Sequence, residues 1–363
     1  EDNQATKPVD RRKGIENAAS FRANGTGPFV VKERQPNVQT RFARNGNYWG
    51  KVDGNVDEVI FSVIGNDATR VAAMMSGELD VMEPVPVQDV ERLKANDKLK
   101  VLQGPELRAI FLGMDQKRDE LLYSNIKGKN PFKDIRVRKA FYQAIDIETI
   151  KSRVMRGAAT PLALMYPPQV NGFPADLAKR LPYDVEASKK LLAEAGYPNG
   201  FEVKMNCPND RYVNDAEICQ AVAANLAKVG VKINLEAETK GTYFPKILSR
   251  NTSFYMLGWT ASTVDAHNVM YPILSTPGDG GRGQFNLGAY SNPKVDELTD
   301  KVASETDQKK RNEMIREAMK IHQDDVGHLP LHQQALNWAA KKNVQLVQFP
   351  DNGMAWKFIT VKP

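Results

Sequence analysis

Strand-like and helix-like runs alternate through most of this 363-residue chain, and that alternation limits the folds open to it. Phe29–Arg34 and Gln39–Arg44 read as paired strands, with Glu58–Ile64 a third. Asp67 is placed to cap a helix carrying Val71, Met74 and Met75, which Gly77 would stop. Leu79–Met82 reads as a strand and Pro86–Ala95 as a short helix, followed by two strands at Lys100–Leu102 and Ile110–Met114. Further on, Asp184 opens a helix through Leu191 and Leu192 that ends at Gly196, Phe201–Asn206 is a strand, and Asp215–Val229 is an amphipathic helix closed by Gly230. Strands at Val231–Leu235 and Phe254–Gly258 flank a helix at Tyr243–Leu248. Helices near Pro293–Val302 and Gln308–Asp325 precede the last strands, Leu329–Leu336 and Val344–Val347. A pattern of this kind predicts α/β layers with mixed sheets. The segment around Pro161, Pro167, Pro168 and Pro174 reads as loop without regular structure.

The most regular stretch runs from Asn130 to Gly157. Asp134 is placed as an N-cap, and Val137, Ala140, Phe141, Ala144 and Ile145 then fall on one helical face. Arg136, Arg138, Lys139 and Gln143 take the other side, which predicts that they are wet. Asp146 opens a second helix, and Gly157 sits where a left-handed cap would end it.

The length suits two or three domains. No run of 18 apolar residues is present, so the sequence contains no transmembrane helix signal. The opening residues EDNQATKPVDRRKG lack an apolar core, so no signal peptide is read in this chain: either one was removed or the chain starts part-way through a longer protein. The net charge is +6, but the cations are interspersed with 44 acidic residues, and the densest cluster is Arg11-Arg12-Lys13 in an expected tail. That distribution argues against nucleic-acid binding. Cys207 and Cys219 flank the polar loop CPNDRYVNDAEIC. A disulfide there would imply an oxidising compartment, and two buried thiols are the other reading; spacing does not choose between them.

Short motifs fall in a definite order along the chain. They are Gly25-Thr26-Gly27-Pro28-Phe29, Arg44-Asn45-Gly46-Asn47-Tyr48-Trp49-Gly50, Asp67-Ala68-Thr69-Arg70 and Gly77-Glu78-Leu79-Asp80-Val81. The run Pro131 to Asp146 follows, then Leu191 to Tyr197, Leu226 to Val231, Gly258-Trp259 and Tyr290-Ser291-Asn292-Pro293. Together they resemble the extracytoplasmic solute-binding proteins of dipeptide and oligopeptide ABC importers, from about Phe21 to the C-terminus. Each motif also has a structural reading, Tyr48 and Trp49 as packing aromatics beside a turn for instance.

The resemblance implies a two-lobed periplasmic-binding-protein architecture with hinge-crossing strands. Residues 1–20 would be a polar tail, 21–107 part of the first lobe, 108–335 the second, and 336–363 the return to the first. The crossings near Leu107–Ala109 and Gln334–Leu336 are the hinge candidates. Such proteins place the start of the first lobe and a small extra domain ahead of the Gly-Thr-Gly-Pro turn, where this chain has only about two dozen residues. The expectation is therefore a fragment lacking those parts.

The same resemblance locates a ligand between the lobes. In peptide binders an Asp shortly after the Gly-Trp pair neutralises the α-ammonium, and here that position is Ser262. Asp265, three residues on, would either take over that role or cap the following helix. Arg211, in the Cys207–Cys219 loop, would meet a carboxylate, or else be a solvated surface arginine. Tyr212, Trp259 and Tyr243 would line the pocket or belong to the core. The expected activity is capture of a peptide or similar polar solute and delivery to a membrane permease in the periplasm, with no cofactor, metal or catalysis. An oligosaccharide or modified peptide is the alternative solute, because Ser262 carries no charge. A hydrolase using Asp265 with His267 is the remote alternative and lacks a third orienting group. His328 and His332 flank a strand-like Leu329-Pro330-Leu331, which argues against a helical metal pair.

Overall fold

The computed structural model describes residues 17–363. The first 16 residues, with the Arg11-Arg12-Lys13 cluster and most of the expected tail, lie outside the described part. The chain divides into two compact units: unit 1 is 1–104 with 336–363, and unit 2 is 105–335.

In unit 1, β1 (Phe29–Gln35), β2 (Gln39–Arg44) and β3 (Glu58–Ser62) form an antiparallel sheet in that order. Phe29 and Phe42 pack on Trp356, with ring centres 5.7 and 4.5 Å away. Trp49 departs from its packing role: it is 82% exposed, with its ring centre 5.5 Å from that of Tyr48. Helix α1 (Asp67–Ser76) is capped by Asn66, one residue earlier than expected, because the Asn66 side chain reaches the Thr69 N–H at 2.9 Å. Gly77 closes it at φ 85°, a conformation open to glycine at little strain. Val71 and Met74 of α1 then pack with Met82 of β4 (Val81–Met82), with Val90 and Leu93 of α2 (Val90–Lys94), and with Leu99.

The two strands expected at 100–102 and 110–114 are one strand, β5 (Leu99–Met114). Gly104-Pro105 does not interrupt it, since proline's fixed φ is compatible with extended backbone and only its N–H is lost.

Unit 2 continues with α3 (Ile135–Ala144), α4 (Ile147–Thr149), β6 (Ala159–Pro161), α5 (Val185–Glu194), β7 (Glu202–Pro208), α6 (Asp215–Ala227), β8 (Lys232–Glu238), α7 (Lys240–Leu248), β9 (Phe254–Thr260), α8 (His267–Val269), α9 (Pro293–Ser304) and α10 (Gln308–Asp324). β10 (Leu329–Lys341) extends five residues past its expected end, into unit 1, where β11 (Val344–Gln345) and β12 (Thr360–Val361) pair. The second helix after Asp146 is α-helical only to Thr149 and then widens to a π-turn at Ile150–Val154. Pro161 belongs to a short strand rather than to a loop: β6 pairs with β10 at Pro161↔His332, where the strand end leaves proline's missing N–H unneeded.

β7 and β8 are parallel, and so are β7 and β9, while β5 runs antiparallel to β9. The connections through α6 and α7 impose that arrangement, since a parallel pair needs a helix-length return. The carboxyl ends of β7, β8 and β9 therefore share one rim. Beneath it, Val137, Ala140, Phe141 and Ala144 of α3 are fully buried, and Phe141 meets Phe132 and Phe254 at 5.1 and 5.6 Å.

Arg138 is the exception on α3. It was expected on the wet side, yet it is 8% exposed. Its guanidinium donates to the carbonyls of Asp325, Phe132 and Lys133. Asp325 accepts from Tyr290 Oη at 2.7 Å and Asn292 Nδ2 at 2.8 Å.

Candidate functional site

The carboxyl-end rim of unit 2 gathers the groups able to hold a polar ligand. Open α/β sheets bind ligands outside the carboxyl ends of their strands because loops and helix starts converge there. The 208–214 loop leaves β7 and enters α6, and it is tied at both ends. Cys207 and Cys219, both fully buried, are joined by a disulfide. Asp215 accepts the N–H groups of Arg211 and Tyr212 at 2.9 Å each and of Ala216 at 3.0 Å. Burial pushes the Asp215 carboxyl up, while those backbone donors pull it down. Reducing the disulfide, which closes a short loop (12 residues apart in sequence), is expected to cost about 3 kcal/mol. Urea midpoints with and without reductant measure this, and coincident midpoints would refute it.

Tyr212 is buried, and its hydroxyl receives the Gly258 N–H at 2.9 Å. The guanidinium carbon of Arg211 lies 5.1 Å from the Tyr212 ring centre, and that of Arg108 5.7 Å from it. Arg211 is an exposed residue, and among the described residues its side chain makes no hydrogen bond. Crowding of its guanidinium, and then the charge of Arg108, hold it below the ordinary arginine value.

Four site residues escaped the sequence reading: Glu106, Arg108, Gln333 and Gln334. Glu106 is fully buried, its carboxylate receiving Arg108 Nε and Gln334 Nε2 at 2.7 Å each. Gln333 Nε2 donates to the Glu106 carbonyl at 2.7 Å, and Gln334 Oε1 accepts the Val213 N–H at 3.1 Å. The available signal was Glu106 and Arg108 spaced two apart beside apolar Leu107 and Ala109, which places both charges on one strand face.

Trp259 is half-buried against Phe285, with Nε1 donating to the Asn268 carbonyl at 2.9 Å. Tyr243 is core, its hydroxyl donating to the Met256 carbonyl. Ser262 is exposed in a turn where Val264, a β-branched residue, holds φ 56°. Such a conformation persists only where surroundings impose it. Asp265 takes a bidentate pair from Arg311 at 2.8 and 2.9 Å and accepts the His267 N–H at 2.8 Å. Burial pushes its carboxyl up, but Arg311 and that N–H outweigh it and leave it below the usual range. The His267 imidazole stacks on Tyr271, and its Nε2 is buried without a partner. Asp265 thus meets the backbone of His267 rather than its ring, and the hydrolase reading has no acid–base pair to rest on. Among the described residues no cluster of three or more metal-ligating side chains occurs.

Residues 3–281 match the family described as bacterial extracellular solute-binding proteins, family 5. The chain belongs to that family. Heme-binding protein A of Haemophilus influenzae is 26% identical over 315 residues, covering 85% of this chain and 54% of that protein. The glutathione-binding protein GsiB of Salmonella typhimurium is 25% identical over 342 residues, covering 93% and 64%. The periplasmic binding protein DppA of Helicobacter pylori, solved with the peptide STSA, has the same fold, with a TM-score of 0.83 at 24% identity over 93% of this chain and 63% of that one. The chain thus spans between about half and two thirds of the length of these relatives. The family is one of solute-binding proteins, and among the described residues no helix is long and apolar enough to cross a membrane.

Proposed function

We propose that this chain is part of the periplasmic substrate-binding component of an ABC importer, capturing a peptide or comparable polar solute and delivering it to a membrane permease. The observation that carries this reading is the Arg211 guanidinium, held over Tyr212 at the carboxyl-end rim without a hydrogen-bond partner among the described residues. A planar, always-charged donor in that position suits a carboxylate. The names of the relatives, which point to heme, glutathione and a peptide, support solute binding. The chain passes between its units at Gly104–Pro105 and Ala335–Leu336, and we take these two crossings as the hinge. A solute shifts such an equilibrium only by its differential affinity for the closed form, so no bond need be made or broken.

Native mass spectrometry of the purified protein tests the reading. The expected result is a retained small solute, released intact on denaturation, with Arg211→Gln lowering the retained fraction about tenfold or more. Turnover of the solute on long incubation, or no retained solute together with no thermal shift by any peptide, would overturn it.

A further inference from the structure

Unit 2 has a second concave feature at the end of its sheet remote from the rim. Gln116 Nε2 donates to the Gly327 carbonyl at 2.8 Å, and Gln333 Nε2 to that of Glu106 at 2.7 Å. β10 therefore runs back along β5 and starts beside Met114, whereas the rim lies where Arg108 pairs with Thr260. His328, just ahead of β10, meets the Phe111 ring edge-on at 5.4 Å. With His322 of α10 and Tyr142 of α3 it lines a cavity of about 270 Å³. Small-molecule sites start at about 300 Å³, so this one suits a small ligand.

These three side chains are each more than nine-tenths buried, yet each keeps a polar atom unused. His322 Nε2 and His328 Nδ1 share one hydrogen bond at 3.0 Å. Burial keeps both rings neutral near pH 7, so each carries a single N–H. The shared bond uses one of the two protons, and the other stands on the far nitrogen of its ring. Whichever ring donates, His322 Nδ1 and His328 Nε2 together offer one donor and one acceptor. Neither has a partner among the described residues, and neither is among the enclosed atoms that lack one, so both stay accessible. The same holds for the Tyr142 hydroxyl, which burial keeps protonated although Arg180 opposes the shift.

The lining also carries charge. Lys139 is half-buried and Lys179 exposed, and neither makes an ion pair or a hydrogen bond with the described residues. Asp324, the acidic residue of the lining, is held by Lys320 at 2.6 Å, and the Gln323 amide donates to the Leu177 carbonyl at 3.0 Å. Ala163, Leu181, Val326 and Pro330 supply apolar wall.

We propose that this cavity is a second ligand site, for a small hydroxy acid with an apolar body, whose hydroxyl sits on the histidine pair and Tyr142 and whose carboxylate meets Lys139 and Lys179. A hydroxyl both donates and accepts, which matches a face of one donor and one acceptor. A carboxylate on that face only accepts, so it would set a lone pair against a lone pair. The two lysines are mobile point charges near the surface, suited to a carboxylate that stays partly hydrated. The site shares no residue with the rim and is independent of the solute carried there.

Isothermal titration of the purified protein with three probes tests the site: 4-hydroxyphenylacetate, phenylacetate without the hydroxyl, and 4-hydroxyphenylethanol without the carboxylate. The first is expected to bind about tenfold or more tightly than either of the others. Lys139→Gln combined with Lys179→Gln, both outside the core, is expected to lower its affinity to that of the alcohol while unfolding at a similar temperature. The chain has four histidines, so imidazole NMR signals locate the ligand. Those of His322 and His328 are expected to shift with 4-hydroxyphenylacetate, and that of His267 to stay. Equal affinity for the three probes, no binding of any, or unmoved His322 and His328 signals overturns the proposal and leaves the importer reading standing. The probe series is read on the unchanged protein, so it decides even where the double variant fails to fold.

Discussion

Lowering the pH from about 7.5 to about 5 is expected to remove on the order of 4 kcal/mol of folding stability, about 2 from each of the buried His322 and His332, with buried His328 adding to the loss in the same direction. His322, His328 and His332 are 4%, 2% and 0% exposed. Burial holds His322 down to about 4, with Asp325 opposing and Arg138 adding to the shift. Burial, and then the His322 charge, hold His328 well below its ordinary value. Burial and then Arg180 hold His332 down to about 3. The geometry agrees. His322 Nε2 and His328 Nδ1 lie 3.0 Å apart in stacked rings, and both nitrogens of His332 are buried without partners.

The sign follows from proton uptake. Each histidine is a base whose folded pKa is depressed, so the unfolded chain gains the proton first. Their contribution is fully present above the unfolded value of about 6.5, is lost as the pH falls through it, and stops falling only at the folded values. Asp215, whose carboxyl burial pushes up, shifts in the opposite sense. Urea midpoints at constant ionic strength across this range measure the effect. His332→Leu is expected to reduce the slope by about 1.4 kcal/mol per pH unit and to be neutral or stabilising at pH 7.5, since it removes two orphaned polar atoms. A flat midpoint between pH 7.5 and 5 would refute the account.

Arg138→Met is expected to destabilise the protein by about 3 kcal/mol or more. The substitution keeps most of the apolar stem but leaves the carbonyls of Phe132, Lys133 and Asp325 without their donor. Arg138 stays charged in a buried position because those oxygens, with Asp325 and Tyr290 nearby, replace its water, although burial still holds it below the ordinary arginine value. Lys139→Met, one residue along the same helix and half-buried, is expected to change stability by no more than about 0.5 kcal/mol. Chemical denaturation of the two variants decides the matter, and equal midpoints would show that the carbonyl contacts contribute nothing net.

That neighbouring pair shows where the legibility of this chain ends. Apolar periodicity placed Val137, Ala140, Phe141 and Ala144 on one face, and all four are buried. Asp134, Asp146 and Asp184 cap helices as read, because a short side chain that accepts from the first-turn N–H groups acts within a few residues. Arg138 and Lys139 look alike to such a reading, since what buries the former is the Asp325 carbonyl, 187 residues away. The candidate site divides in the same way. Arg211 and Tyr212 were visible from their loop, whereas Glu106 and Arg108 join them only because β5 lies beside β9 at Arg108↔Thr260. Asp265 had two readings open to it, and the structure gives it the helix N–H together with Arg311, a partner 46 residues on that no local pattern announced.

The sequence by itself determined what local chemistry controls: the alternation of strands and helices, their caps and glycine stops, the apolar faces, and the ordered motifs that mark a family 5 solute-binding protein. Each depends on side chains within a turn or two of one another, or on order along the chain. Only the tertiary structure decided which charges are free. Asp265, Glu106 and Asp215 are engaged while Arg211 and the outer nitrogens of Arg108 are not, and that outcome depends on strand register and on helix ends brought together from distant parts of the chain. The specificity of the rim is therefore a property of pairing across the fold, since a charge acts on a ligand only after its contacts within the protein have been counted.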